Sequence, residues 1–128
     1  MFGNIMLAEQ INMNQNNSIF LDKAGAVFSV LSFPSYISMD VLLTLNGFEE
    51  SGEYELKVIL NKNDNNTILV QGQFLINDQE NIRATTSTNV INLRKVPIIN
   101  EGINELTVLI NDVEIASAKF DVLKDTLG

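Results

Sequence analysis

The chain has 128 residues, a formal net charge of −8 and no Cys, His or Trp. That length fits a single domain over residues 1–128, large enough to bury a real core. The missing residue types exclude thiol and imidazole nucleophiles, Ser-His-Asp triads and Cys/His zinc sites. The acidic balance argues against binding nucleic-acid backbones or anionic membranes.

Three short strands open the chain, at residues 5–11, 18–21 and 26–31. The Asn-rich stretch 12–17 reads as a turn, because Asn tolerates left-handed backbone and bonds its own main chain. Ser32-Phe33-Pro34-Ser35 marks a loop where the chain crosses between sheets. From Ser35 to Leu45 the side chains alternate. Ile37, Met39, Val41, Leu43 and Leu45 share one face, and Tyr36, Ser38, Asp40 and Thr44 the other, which is the pattern of a half-buried strand. Asn46-Gly47 leads to a second such strand at 53–60, with Tyr54, Leu56, Val58 and Leu60 inward and Glu53, Glu55 and Lys57 outward. Residues 61–66 are a hairpin candidate. In 67–76, Ile68, Val70, Phe74 and Ile76 fall together, and Gly72 marks a bulge or a close backbone approach.

Residues 77–81 read as another turn. The stretch 83–93, rich in Thr, Val and Ile, is predicted to be extended, with Pro97 closing it at a sheet edge. Residues 105–110 alternate through Leu106, Val108 and Ile110. Asn111-Asp112 is a two-residue turn. After it, Ala116, Ala118, Phe120 and Val122 face one way, while Val113 and Ile115 have the opposite parity, which predicts a bulge near Ile115. No stretch holds a helical period over about 11 residues. The best helical candidate is 123–127, within a frayed tail at 123–128. Roughly seven to nine short strands with regular turns predict an antiparallel two-sheet β-sandwich. Phe20, Phe28, Phe33, Tyr54, Phe74 and Phe120 are expected to fill much of its core. The stretches 52–61 and 102–111 echo one another, as expected where a Gly precedes an alternating strand that ends in an Asn turn.

These features resemble a family of small uncharacterised bacterial β-sandwich proteins, classed as a domain of unknown function. The residues carrying the resemblance are Ile5-Met6-Leu7-Ala8-Glu9, Phe20-Leu21, Ala24-Gly25-Ala26, Ser32-Phe33-Pro34, Gly52-Glu53-Tyr54-Glu55-Leu56-Lys57-Val58, Val96-Pro97, Glu101-Gly102 and the hairpin around Asn111-Asp112. The resemblance implies an immunoglobulin-like sandwich and no reaction. Asn104 departs from it, standing where such sandwiches often place an aromatic residue.

Candidate sites are few. Asp22, Asp64, Asp78 and Asp112 lie in or near turns and are the candidate Ca²⁺ ligands, although no loop has the spacing of a preformed cage. Glu49, Glu50, Glu53 and Glu55 form the densest acidic cluster, and solvation explains them more simply than glycoside hydrolysis does. Thr85, Ser87 and Asn89 read as an outward polar array. Tyr36 is the one outward aromatic, too little for a sugar-stacking platform. Leu42, Ile59, Leu69, Leu75 and Leu109 fall on nominally outward faces, where several together make a surface for self-association.

The resulting expectation is a non-catalytic interaction or assembly module of a bacterium or phage. It needs no cofactor and binds a protein partner or itself as a homo-oligomer, without nucleic acid or membrane. The alternative is a small-ligand or Ca²⁺-dependent binder using the Asp/Asn-rich loops. No secretory signal or membrane-spanning run is visible, and zero cysteines fits a cytoplasmic protein.

Overall fold

A computed structural model describes residues 1–14, 16 and 18–125. Nine strands follow one another: β1 (Phe2–Met13), β2 (Ile19–Ala24), β3 (Val27–Val30), β4 (Ser35–Asn46), β5 (Gly52–Lys62), β6 (Asn65–Ile76), β7 (Ser87–Ile98), β8 (Gly102–Ile110) and β9 (Val113–Lys124). A short 3-10 turn, Ile82–Ala84, stands before β7. The strands form a four-stranded sheet in the order β2-β1-β4-β7 and a five-stranded sheet in the order β3-β9-β8-β5-β6. The five-stranded sheet curls into a half-barrel. Among the described residues no helix is long and apolar enough to cross a membrane.

Alternation builds the inner faces. Met39, Val41, Leu43 and Leu45 of β4 are fully buried, as are Val58 of β5, Leu106 and Val108 of β8, and Val122 of β9. Residues of both sheets make one continuous core. The tight turns follow from residue type. Asn63-Asp64 and Asn111-Asp112 all have positive φ, the geometry that a two-residue hairpin demands and that Asn and Asp tolerate. The predicted bulge is present: Val108 pairs with Ala116 and Leu109 with Glu114, leaving Ile115 as the extra residue. Residues 32–35 do carry the chain from one sheet to the other, through a cis peptide bond between Phe33 and Pro34.

Several expectations are corrected. Pairing is not wholly antiparallel, because β3 runs parallel to β9. The chain reaches β3 by leaving β2 in the opposite sheet, so no hairpin constrains its direction. Residues 82–84 turn instead of extending, and β7 begins at Ser87. Leu123 and Lys124 end β9 as strand, not as a helix or a loose tail, while residues 126–128 lie outside the described residues. In the 12–17 turn, Gln15 and Asn17 also lie outside them. There the Asn14 side chain accepts bonds from the N–H groups of Asn16 (2.9 Å) and Ser18 (3.0 Å). Phe20 is not core. It pairs with Asn12 on the outer face of the sheet and stays 58 % exposed. Its place is taken by Phe48, which lies in the β4–β5 loop and is fully buried. In β6 the bulge is at Leu69, not Gly72, because Val58 pairs with Val70 and Ile59 with Ile68. The extra residue flips the parity, sending Ile68 out and packing Leu69 against the core.

The two open sides of the sheets differ. On one side β1 and β9 lie against each other. A Cβ at Gly3 would sit 2.6 Å from Thr44 O and 3.2 Å from Ile115 Cγ2, so glycine permits the close approach there. On the other side the edge strands β6 and β7 touch only locally, and clefts open along the seam between them.

Candidate functional site

The five aliphatic residues expected to form a sticking surface are divided between two faces and the core. Leu42 lies on the outer face of the four-stranded sheet. Register places Met6 of β1 on one side of it and Val90 of β7 on the other. The three make a row straight across the sheet, and Phe2, 65 % exposed, stands further along the same face of β1. Ile59, Leu75 and Leu109 share the outer face of the five-stranded sheet. Ile59 lies opposite the exposed Ile68, Leu75 opposite Glu53 and Leu109 opposite Lys57. Charge therefore interrupts this second face, while the Leu42 row runs unbroken. Leu69 belongs to the core for the reason given above.

Asp112 is tied down. Its carboxylate accepts a hydrogen bond from Lys57 Nζ at 2.8 Å, and Glu55 lies 3.3 Å from the same ammonium. Next to it, Asn111 works as an added rung of sheet. Its N–H donates to Glu55 O at 3.0 Å, and its Oδ1 accepts from Glu55 N at 2.9 Å. The Lys57 ammonium is held above its usual 10.5, first by the hydrogen bond to Asp112 and then by Glu55. A raised lysine value means that the folded chain holds this proton more tightly than the unfolded one. The stability so gained is complete below pH 10.5 and is lost as pH climbs through the raised value. Melting curves in alkaline buffers are expected to fall more steeply for the wild type than for Lys57→Met above that pH. Parallel curves would remove the ion pair from the account.

The other acidic candidates do not converge. Asp22 lies on β2, Asp64 in the β5–β6 turn, Asp78 in the loop after β6 and Asp112 in the β8–β9 turn. Among the described residues no three acidic side chains gather around one point. Glu49 and Glu50 are exposed loop residues, and Glu53 and Glu55 stand on the outer face of β5. The array Thr85, Ser87 and Asn89 is not an outward one. Register sets Ser87 opposite Leu45 and Asn89 opposite Leu43, both inward. The polar pair lies on the inner face where the seam opens, and Asn89 Nδ2 donates to Ser87 Oγ at 3.0 Å. Thr85 precedes the strand, and its Oγ1 is buried without a partner.

Asp40 is where burial departs from the sequence reading. It is on the outer face as its parity requires, yet only 2 % exposed. Its carboxylate accepts from Ile11 N–H at 2.8 Å and from Arg94 Nη1 at 3.0 Å. A bulge in β7, with Lys95 at φ 56°, carries Arg94 across β4. Nothing local in the stretch Ser38-Met39-Asp40-Val41 signals this, because both partners come from distant strands.

Along the seam, a cleft of about 210 Å³ is lined by Leu43, Leu45, Leu56, Gly72, Phe74, Asn89 and Ile91. No Cβ at Gly72 would meet any atom within 4 Å.

The chain belongs to a family of unknown function, DUF6941, whose model matches residues 4–123. No curated protein matches it. Among solved structures, it is similar to the Pseudomonas fluorescens alkylpurine DNA glycosylase AlkC bound to DNA containing an abasic site analog. The TM-score is 0.49 and the identity 10 %, over 93 % of this chain and 30 % of that one. This chain thus spans less than a third of that protein, and a likeness so low says nothing of what this chain does.

Proposed function

We propose that this protein is a non-catalytic interaction module of immunoglobulin-like build, from a bacterium or phage, and that its first partner is a second copy of itself. The observation that carries this reading is the Met6–Leu42–Val90 row, an unbroken apolar ladder on an outer sheet face. Single exposed aliphatics are ordinary, whereas a contiguous set rimmed by polar residues marks a contact surface. The rim is present, since Asn4, Thr44 and Thr88 form the next row in register. A chain of net charge −8 gains most from surfaces of this kind, where two copies meet without bringing carboxylates together.

Sedimentation over a concentration series tests the reading. The wild type is expected to exceed the 14.2 kDa monomer mass, and Leu42→Glu to weaken association at least about tenfold, the effect of burying a charge in an apolar contact. A wild type that stays monomeric at millimolar concentration overturns it.

A further inference from the structure

We infer that β6 is a self-pairing edge, and that two copies of this chain join there as antiparallel strands related by a two-fold axis through Gly72. The inference rests on the self-association reading above and adds a second contact, at an edge of the other sheet, where the backbones meet.

Of the four strands that end a sheet, three carry the usual protection against pairing. β3 is only four residues long. β2 carries Asp22 and Lys23, and β7 carries Arg94, Lys95, Pro97 and a bulge. β6 is twelve residues long with neither a charge nor a proline. Its one irregularity, the Leu69 bulge, lies at one side and leaves Val70 to Ile76 in regular register with β5.

Main-chain direction is settled by the neighbouring strands. Glu55 N–H and C=O both bond to Asn111, on the β8 side of β5. Successive residues of a strand point their main-chain groups to opposite edges, so those of Leu56 turn toward β6 and meet Gly72. Gly72 is therefore spent on β5. Gln71 and Gln73 aim their N–H and C=O groups at the free edge.

The occupant is fixed by the sequence of the edge itself. Around Gly72 the strand reads Ile-Leu-Val-Gln-Gly-Gln-Phe-Leu-Ile, the same chemistry in both directions. A two-fold at Gly72 sets Gln71 against the second copy's Gln73 as hydrogen-bonded pairs and Val70 against its Phe74. An isologous contact requires this self-complementarity, and a foreign strand does not. Because β6 is uncharged, the approach also avoids most of the repulsion between two acidic bodies. Gly72 faces Gly72 of the other copy as a non-hydrogen-bonded pair, whose Cα atoms stand about 4.5 Å apart, within disulfide reach.

The chain contains no cysteine, so Gly72→Cys gives a cross-linking test free of background. The site has open space for the new side chain and no left-handed backbone. With oxidised glutathione, Gly72→Cys is expected to yield a dimer on a non-reducing gel, and Leu42→Glu in the same background to leave that band in place. Gln71→Pro removes only a free-edge N–H. It is expected to weaken association in sedimentation, and in the Leu42→Glu background to leave only monomer, while the circular dichroism spectrum and melting temperature stay close to wild type. If the wild type associates but Gln71→Pro associates equally and Gly72→Cys does not cross-link, the β6 contact is wrong and the self-association reading stands. If the wild type is monomeric, both fall.

Discussion

Phe48→Ala is expected to destabilise the fold by about 3–5 kcal/mol, the range for emptying a buried phenylalanine site. The residue sits in a loop between two strands, where a bulky apolar side chain is ordinarily surplus. Gly47, at φ 75°, bends the chain so that the ring enters the core. It meets Tyr54 edge-on at 5.4 Å and Phe74 at 6.4 Å, while Tyr54 and Phe74 stack on each other. Tyr54 also donates its hydroxyl hydrogen to Glu50 O and so pins the loop over the ring. The neighbours are themselves anchored and can collapse only partly into the void. Melting temperature should fall by roughly 10–20 °C for a chain of this length. Urea denaturation at unchanged slope is the measurement, and a loss under about 1 kcal/mol would place Phe48 outside the packed core. Phe48→Leu, which refills most of the volume, should recover more than half of the loss.

The second large effect belongs to Arg94. Arg94→Met leaves the Asp40 carboxylate, 3 % exposed in its side chain, with only the Ile11 N–H for company. Stranding a buried charge typically costs about 3–5 kcal/mol. Arg94 is itself 56 % exposed, so water screens part of the interaction, and about 2–3 kcal/mol is the expected loss. Asp40→Leu breaks the same pair differently. The guanidinium regains water, but the Ile11 N–H is orphaned, at about 1–3 kcal/mol. The double variant should be far less damaged than the two losses added together, since neither charge is then left alone. A four-member denaturation cycle reads this directly. A coupling below about 0.5 kcal/mol would mark the pair as an ordinary surface contact.

Much of the framework was legible because β4, β5, β8 and the second half of β9 alternate cleanly, and period two leaves one choice of inward face. The turns at Asn63-Asp64 and Asn111-Asp112 were legible through residue type, and the Ile115 bulge through a visible break in parity. Leu69 was not. In Ile68-Leu69-Val70 every residue is apolar, so the pattern carries no parity to break. Ser87 and Asn89 misled in the opposite sense: polar residues imply an outward face, but theirs borders an open seam where the inner face meets water. Leu42 was picked out by parity. Its partners Met6 and Val90 depend on strand register, which no local pattern states. Asp40 and Phe48 escaped for a related reason. An aspartate in an alternating strand reads as solvated and a phenylalanine beside Gly47 as loop, until distant chain closes over them.

The parallel union of β3 with β9 has a consequence in time. A strand from the first quarter of the chain waits for the last one, and the N–H groups of Asp121 and Asp125 reach back to Ala26 O and Val30 O. Neither local turns nor hairpins can assemble that seam early, because about three quarters of the polypeptide has to be closed into a loop first. Refolding should therefore run in milliseconds to seconds, at the slow end for a chain of this size. Until the final strand arrives, Phe28 lacks the edge-to-face ring of Phe120, 5.8 Å away in the finished molecule.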